Sequence, residues 1–197
     1  MNEINFSKTA DGLKQIGAIA GLPKDDLVFT NIDGAKDILS RGMDWAVQSR
    51  SVWLPEYDEV ADWLTDNGGR GLLMFGDCGR GKSLLGKYVL PVIFNFYLKK
   101  IMPVFTANGL NQDLDSILKY KIVSIDDIGT EIIHNQYGSK RIAFQELVDA
   151  AESEGKLIVI STNLSLDVIT ERYGIRTVDR LKAITRQVLF TGESLRA

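Results

Sequence analysis

Short apolar runs alternate with longer amphipathic segments along most of the sequence. Five runs rich in β-branched and aromatic residues predict strands, at 71–75, 103–106, 121–125, 157–160 and 187–190. Apolar residues at helical spacing predict helices between them, at 55–66, from 82 onward, and at 108–117, 139–154, 165–173 and 177–184. Strands that alternate with helices form a parallel sheet covered on both faces. We therefore expect an α/β domain of three αβα layers with about five strands.

Residues 1–54 show a weaker pattern than the rest of the chain. Several glycines and Pro23 interrupt short apolar pieces here, and the pattern predicts two short helices, a loop and an extended piece at 27–29. We expect a short N-terminal segment and linker over 1–54 and the core domain over 55–197. Within the core, Pro91 is expected to kink the helix that begins at Lys82.

Composition narrows the function classes. The formal net charge is −3 and the isoelectric point is about 5.3, so any contact with nucleic acid depends on a local patch or on pooled contacts in an assembly. Cys78 is the only cysteine, which excludes an intrachain disulfide and fits a reducing compartment. Neither a signal peptide nor a membrane span is evident, because the apolar stretch 88–98 is short and interrupted by Pro91. We expect a cytoplasmic protein with no membrane partner.

The most informative motif follows the first predicted strand. Residues 76–83 read Gly-Asp-Cys-Gly-Arg-Gly-Lys-Ser, which matches the phosphate-binding pattern G-x-x-x-x-G-K-[ST]. A strand that turns through glycines into a helix presents backbone N–H groups to an anion. Lys82 is expected to reach the terminal phosphates and Ser83 to bind Mg²⁺. The expected phosphate-binding residues are Gly76, Asp77, Cys78, Gly79, Arg80, Gly81, Lys82, Ser83 and Leu84.

Polar residues follow two other predicted strands. Asp126 and Asp127 come after the third strand, and Asn163 comes after the fourth. Ligands of parallel α/β sheets bind at the carboxyl ends of the strands, so one aspartate is placed to hold Mg²⁺ and the other to orient a water molecule. The alternative interpretation of Asp126 and Asp127 is an acidic turn that follows the strand, since aspartate favours such positions. Asn163 is placed either to reach the γ-phosphate or the water, or to cap the following helix.

Arg176 immediately precedes the last predicted helix, 177–184, and Arg180 lies in it. An arginine can stabilise the charge that develops during phosphoryl transfer, often from a neighbouring subunit. The same two residues, four apart and close to Asp179, also fit a solvated helix face. The residues alone leave both interpretations open.

Taken in order, these motifs resemble the AAA+ ATPases of the DnaC/IstB group, which are bacterial helicase loaders and helper ATPases of insertion-sequence transposition. The resemblance covers roughly residues 55–197. It rests on the phosphate loop 76–83, Asp126-Asp127-Ile128-Gly129, the segments 160–165, 173–176 and 179–181, and the ending 192–196.

The resemblance assigns roles to the candidate residues. Asp126 is implied to be the metal-shell carboxylate, Asp127 the water-orienting residue and Asn163 the first sensor. Arg180 matches the arginine finger that acts on ATP held by the adjacent subunit, and Arg176 is the neighbouring basic position.

Activity and partners follow from the same resemblance. It implies an ATPase that uses ATP and Mg²⁺, forms a homo-oligomer with ATP at subunit junctions, and assembles on single-stranded DNA. The client is a replicative helicase or a transposase, and the end of the sequence soon after Arg180 implies a core without a C-terminal lid domain. Two alternatives stay open: a nucleotide-gated adaptor with little hydrolysis, and a small-molecule kinase, which shares the phosphate loop.

Overall fold

A computed structural model describes residues 5–18, 26–131 and 142–196. The strands are β1 (Gly71–Gly76), β2 (Val104–Thr106), β3 (Ile122–Ile128), β4 (Leu157–Thr162) and β5 (Thr185–Phe190). The helices before β2 are α1 (Phe6–Gln15), α2 (Ala35–Val47), α3 (Pro55–Thr65), α4 (Lys82–Leu84) and α5 (Leu90–Leu98), with a π-helical turn at Leu85–Val89 between the last two. The later helices are α6 (Ala107–Gln112), α7 (Leu114–Ile117), α8 (Ala143–Glu154), α9 (Leu166–Tyr173) and α10 (Ile175–Ile184).

The five strands of the described chain form one parallel sheet in the order β2-β3-β4-β1-β5. Leu72 of β1 pairs with Val159 of β4, and Ser124 of β3 pairs with the same Val159 from the other side. The predicted three-layer αβα fold is thus confirmed. Since β4 lies between β1 and β3, the segments that follow these three strands emerge side by side at one edge of the sheet.

Two apolar clusters cover the two faces of the sheet. On one face α2, α3 and α5 pack over β1, with Leu39, Trp63 and Phe94 buried there. On the other face α8, α9 and α10 bury Leu147 and Leu181, among others. Helix α2 belongs to the first cluster, so residues N-terminal to position 55 help to form the core of the domain.

Several expected boundaries differ from the structure. The segment 108–117 is split at Asp113 into α6 and α7, and residues 27–29 lie outside the sheet. The helix expected from residue 139 begins at Ala143, because Ile142 has extended backbone angles. Near Pro91 the chain forms the π-turn, in which Leu90 N–H bonds to Leu85 O. Proline has no N–H, so it cannot donate the α-helical bond to the carbonyl of Lys87.

Within the described ranges, no helix is both long and apolar enough to cross a bilayer. His134, expected from the sequence to be a surface histidine in a polar loop, lies outside the described residues.

Close approach of β1 and β4 leads to a prediction at Gly71. A Cβ added there would lie 2.2 Å from the backbone oxygen of Ile158, so we expect Gly71→Ala to lower the free energy of unfolding by about 3 kcal/mol. Gly12→Ala is the control, since an added Cβ meets nothing within 4 Å in the exposed helix α1. Urea unfolding monitored by circular dichroism measures both, and equal midpoints for the two variants would show that the packing at Gly71 is looser than described.

Candidate nucleotide-binding site

The predicted phosphate loop joins the end of β1 to the start of α4. Gly76, Gly79 and Gly81 have φ angles of 110°, 76° and 89°, in the region that residues with a side chain avoid. A Cβ on Gly81 would also lie 2.3 Å from the hydroxyl oxygen of Tyr57, which donates a hydrogen bond of 3.0 Å to Arg80 O. The loop therefore depends on glycine for its backbone shape and on Tyr57 for its support.

Lys82 lies along the inside of this loop. Its Nζ donates hydrogen bonds to Gly76 O at 2.9 Å and to Asp77 O at 2.5 Å. Burial lowers the pKa of Lys82, and the nearby carboxylates of Asp77 and Asp127 oppose that shift. A bound phosphate would favour the charged ammonium and replace the loop carbonyls as its partner.

A β-bulge places the two aspartates. Ile125 pairs with Ile160 but Ile128 pairs with Thr162, so two residues of β3 stand opposite the single Ser161 of β4. Adjacent side chains of a regular strand face opposite sides of the sheet, whereas a bulge re-aims one of them. Asp127 has a φ of 63° at this point and lines the same cavity as Lys82.

Ser161 connects both aspartates. Its hydroxyl donates to Asp126 Oδ1 at 2.6 Å and accepts from Asp127 N–H at 3.1 Å. Burial raises the pKa of Asp126, but hydrogen bonds from Lys87, Ser161 and Ser83 outweigh it and hold the pKa below its usual value. The carboxylate is therefore ionised at neutral pH although it is buried.

The donor set at Asp126 fits Mg²⁺. Mg²⁺ prefers hard oxygen ligands and commonly uses one or two protein oxygens together with phosphates and waters. The Asp126 carboxylate and the Ser83 hydroxyl offer such oxygens beside the phosphate loop. Elsewhere in the described parts of the chain, no group of three or more histidine, cysteine or acidic residues is arranged to hold a metal ion by itself.

Asn163 lies beside the second aspartate. Its Nδ2 donates to Asp127 Oδ1 at 3.2 Å, and both residues line the cavity. Ser165, not Asn163, caps the following helix α9, by accepting a hydrogen bond from Val168 N–H. The capping alternative for Asn163 is therefore wrong, and Asn163 and Asp127 stand together at the mouth of the phosphate loop.

These side chains face a cavity of about 400 Å³. Besides the loop motif, Asp127 and Asn163, ten further residues line it: Met43, Val47, Ser49, Arg50, Ser51, Val52, Tyr57, Leu84, Leu195 and Arg196. Helix α2 and the connection from α2 to α3 thus form a wall of apolar and polar residues next to the phosphate loop. This wall suits the flat, partly apolar base of a nucleotide.

The Arg80 side chain forms a buried ion pair with Glu56. Its Nε lies 2.7 Å from Glu56 Oε1 and its Nη1 donates to Glu193 O at 3.1 Å. Glu56 Oε1 also accepts from Thr191 N–H at 3.0 Å. We call this the Glu56–Arg80 brace. It joins α3, the phosphate loop and the segment after β5.

The segment after β5 lies against the loop along its length. Gly192 N–H donates to Asp77 Oδ2 at 2.8 Å, and Leu195 N–H donates to Gly79 O at 3.0 Å. Through these contacts Arg196 reaches the cavity wall. Sequence reasoning counted residues 192–196 only as part of a resemblance and gave Arg196 no role.

Neither Arg176 nor Arg180 is among the described residues that line the cavity. Arg176 is exposed in the first turn of α10. Arg180 bridges to α8, where it contacts Asp149 and where its Nε lies 2.9 Å from Glu152. The interpretation of a purely solvated helix face is thus too simple for Arg180, which crosslinks two helices.

Besides Arg196, sequence reasoning gave no role to Ser161, Glu56 or Lys87. Ser161 had a detectable signal, because it is a polar residue that follows four apolar residues in a buried strand. Glu56 and Lys87 had none, because their partners Arg80 and Asp126 are distant in sequence.

Comparisons with known proteins support the fold. No family model matches the sequence, and no curated protein matches it. The crystal structure of the DnaC helicase loader superposes with a TM-score of 0.57, at 16% identity over 72% of this chain and 93% of that one. DnaI gives a TM-score of 0.49 at 19% identity over 64% of this chain and 73% of that one. AMPPCP-bound DnaA from Aquifex aeolicus gives a TM-score of 0.49 at 13% identity, over 71% of this chain and 48% of that one. At these identities the likeness to the DnaC helicase loader establishes a shared fold.

The Glu56–Arg80 brace yields a stability prediction. Glu56→Gln leaves the buried guanidinium without a counter-charge, so we expect the free energy of unfolding at pH 7 to fall by about 3 kcal/mol. Glu59→Gln is the matched control, because Glu59 is exposed on the same helix. Denaturant unfolding at pH 7 measures both variants, and equal losses would show that the brace does not stabilise the domain.

The same pair predicts a pH dependence. Burial raises the pKa of Glu56, but hydrogen bonds from Arg80 and from the amides of Glu56 and Thr191 lower it below the usual value. A carboxylate with a depressed pKa stabilises the fold above its unfolded pKa of about 4.3, and that contribution is lost as the pH falls through the folded pKa. The stability gap between wild type and Glu56→Gln should therefore narrow below about pH 4. A stability difference that widens below this pH would contradict the assignment of Glu56 as an ionised partner of Arg80.

Proposed function

We propose that this chain is an ATP-binding and ATP-hydrolysing AAA+ protein of the DnaC/IstB group that acts in DNA replication or transposition. The observation that carries the proposal is the convergence of Lys82, Asp127 and Asn163 on one cavity, with Asp126 and Ser83 beside it. Three separate strands deliver these groups to one edge of the sheet.

Each group has a chemical task in this proposal. Loop amides and Lys82 hold the phosphates, and Ser83 with Asp126 holds Mg²⁺. When bound, the ion neutralises charge on the β- and γ-phosphates. Asp127 and Asn163, joined by a hydrogen bond, orient the attacking water at the γ-phosphate. Water, rather than a bound acceptor, is favoured as the nucleophile because both side chains are polar and face the open cavity.

Arg180 completes the site from a neighbouring subunit. It lies on α10, where it pairs with α8 rather than with any cavity group of its own chain. An arginine finger that acts in trans lies outside the site of its own chain. On assembly, the guanidinium of Arg180 has to contact phosphate oxygens of the neighbouring subunit in addition to Asp149 and Glu152, or in place of them. Arg176, exposed one turn earlier, is the secondary basic contact.

The proposed biological setting is assembly on single-stranded DNA with a replicative helicase or a transposase as client. The likeness in fold to the DnaC helicase loader supports helicase loading. The net charge of −3 requires that DNA contacts be local and repeated across subunits.

Lys82→Ala tests the nucleotide site. Loss of the ammonium removes charge-assisted hydrogen bonds to phosphate, so we expect the dissociation constant for MgATP to rise about a hundredfold, equivalent to about 2.7 kcal/mol. Isothermal titration calorimetry makes the measurement, with Lys99→Ala as the control because Lys99 is an exposed lysine at the end of α5. Unchanged affinity in Lys82→Ala would contradict the proposed site.

Arg180→Ala tests hydrolysis at subunit junctions. We expect ATP turnover to be lost while ATP binding is retained, and turnover of the wild type to rise with protein concentration and with single-stranded DNA. Mixing Arg180→Ala with Lys82→Ala should restore part of the activity, since a junction then combines an intact loop with an intact finger. A steady-state phosphate-release assay measures turnover of each protein and of the mixture, and isothermal titration calorimetry measures ATP binding by Arg180→Ala.

The control for this test is Arg41→Ala, because Arg41 forms an exposed ion pair with Asp37 on α2. Normal hydrolysis by Arg180→Ala would rule out the finger role. Tight ATP binding with no turnover under any condition would instead identify a nucleotide-gated adaptor, and phosphate transfer to an added acceptor would identify a kinase.

A further inference from the structure

The carboxylate of Asp126 forms an ion pair with a cation of the protein itself, the ammonium of Lys87. Lys87 Nζ lies 2.7 Å from Asp126 Oδ2, while Ser161 occupies Oδ1. The aspartate side chain is 5% exposed but the lysine side chain is 33% exposed. One partner of the pair is thus fixed in the sheet, and the other has a path to solvent.

The helix after the phosphate loop aims Lys87 at this carboxylate. Ser83 and Lys87 are four residues apart, a spacing that places both on one helix face, and both act on Asp126. The hydroxyl of Ser124 donates to Gly86 O at 2.9 Å, which binds the π-turn directly to β3. A Cβ at Gly86 would meet that hydroxyl at 3.2 Å, so the glycine allows the close approach.

A buried carboxylate needs a positive partner, because leaving an ionised group unpaired in the interior is costly. Lys87 meets this need in the ligand-free protein. Mg²⁺ would meet the same need when it arrives with the nucleotide. Two cations on one small carboxylate repel each other, and the repulsion is strong where water is scarce.

We propose that Lys87 competes with Mg²⁺ for Asp126 and so sets the magnesium concentration at which the site binds a metal–nucleotide complex. The inference rests on the proposed nucleotide-binding function of the site. Lys87 is a positioning residue: it pairs with Asp126 in the ligand-free protein, and its ammonium moves toward solvent when the ion binds. It thereby keeps the carboxylate ordered and compensated in the empty state.

Lys87→Met tests the competition. A fluorescent non-hydrolysable ATP analogue is titrated with Mg²⁺ at fixed analogue and protein concentrations, so that hydrolysis plays no part in the readout. We expect the half-saturating free Mg²⁺ concentration to fall about tenfold relative to wild type, since the competing charge is gone. Lys87→Arg keeps the charge and should stay close to wild type. Lys99→Met, at an exposed lysine further along the same helical stretch, controls for loss of one positive charge.

A second measurement needs no nucleotide. In thermal unfolding with EDTA, Lys87→Met should melt below wild type because Asp126 is left without a counter-ion. Added Mg²⁺ should raise the melting temperature of Lys87→Met more than that of wild type, since only a vacated carboxylate gains a partner. Lys87→Gln, whose amide can still donate to Asp126, serves for both measurements if the methionine variant does not fold.

The outcomes separate this inference from the proposed function. A wild type that binds the analogue, with the same magnesium half-saturation in Lys87→Met, overturns the role of Lys87 and leaves the nucleotide site standing. A higher half-saturating concentration in Lys87→Met also overturns it, because Lys87 would then assist the ion. A wild type that binds no analogue at any magnesium concentration overturns the proposed function and this inference with it.

Discussion

The buried carboxylate of Asp126 is where the architecture of the sheet and the chemistry of the site meet. Pairing of β3 with β4 brings Ser161 to one oxygen, and packing of the π-turn against β3 brings Lys87 to the other. An ionised group in this position is tolerated only because both oxygens have partners. Both partners therefore reach Asp126 only if β3, its bulge and the helix after the phosphate loop are all packed as described. The placement of Asp127 depends on the same bulge.

The phosphate loop is held from its outer side by parts of the chain far apart in sequence. Glu56 on α3 fixes Arg80, and the segment after β5 lies along the loop and brings Arg196 to the cavity. Helix α2 supplies Met43 and Val47 to the opposite wall. A ligand in this cavity would thus contact the N-terminal region, the central loop and the last residues of the described chain, so its binding energy can order all three.

Placement of Arg180 separates the part of the reaction that one chain can supply from the part that needs two. The groups proposed to bind the metal and the phosphates and to orient the water are gathered at one sheet edge, but Arg180 spans α8 and α10. An arginine stabilises transition-state charge only in direct contact. Hydrolysis in the proposed mechanism is therefore linked to assembly by geometry.

The sequence by itself determined the five strands, their parallel αβα arrangement and the phosphate loop, because apolar periodicity and glycine placement are local properties of the chain. It also put Asp126, Asp127 and Asn163 at the correct edge, since strand ends share an edge in any parallel sheet. Only the tertiary structure decided the bulge opposite Ser161, the π-turn near Pro91, and the pairs Glu56–Arg80 and Lys87–Asp126. Each of these depends on which residues meet across strands and helices, and no local pattern in a single sequence encodes that meeting.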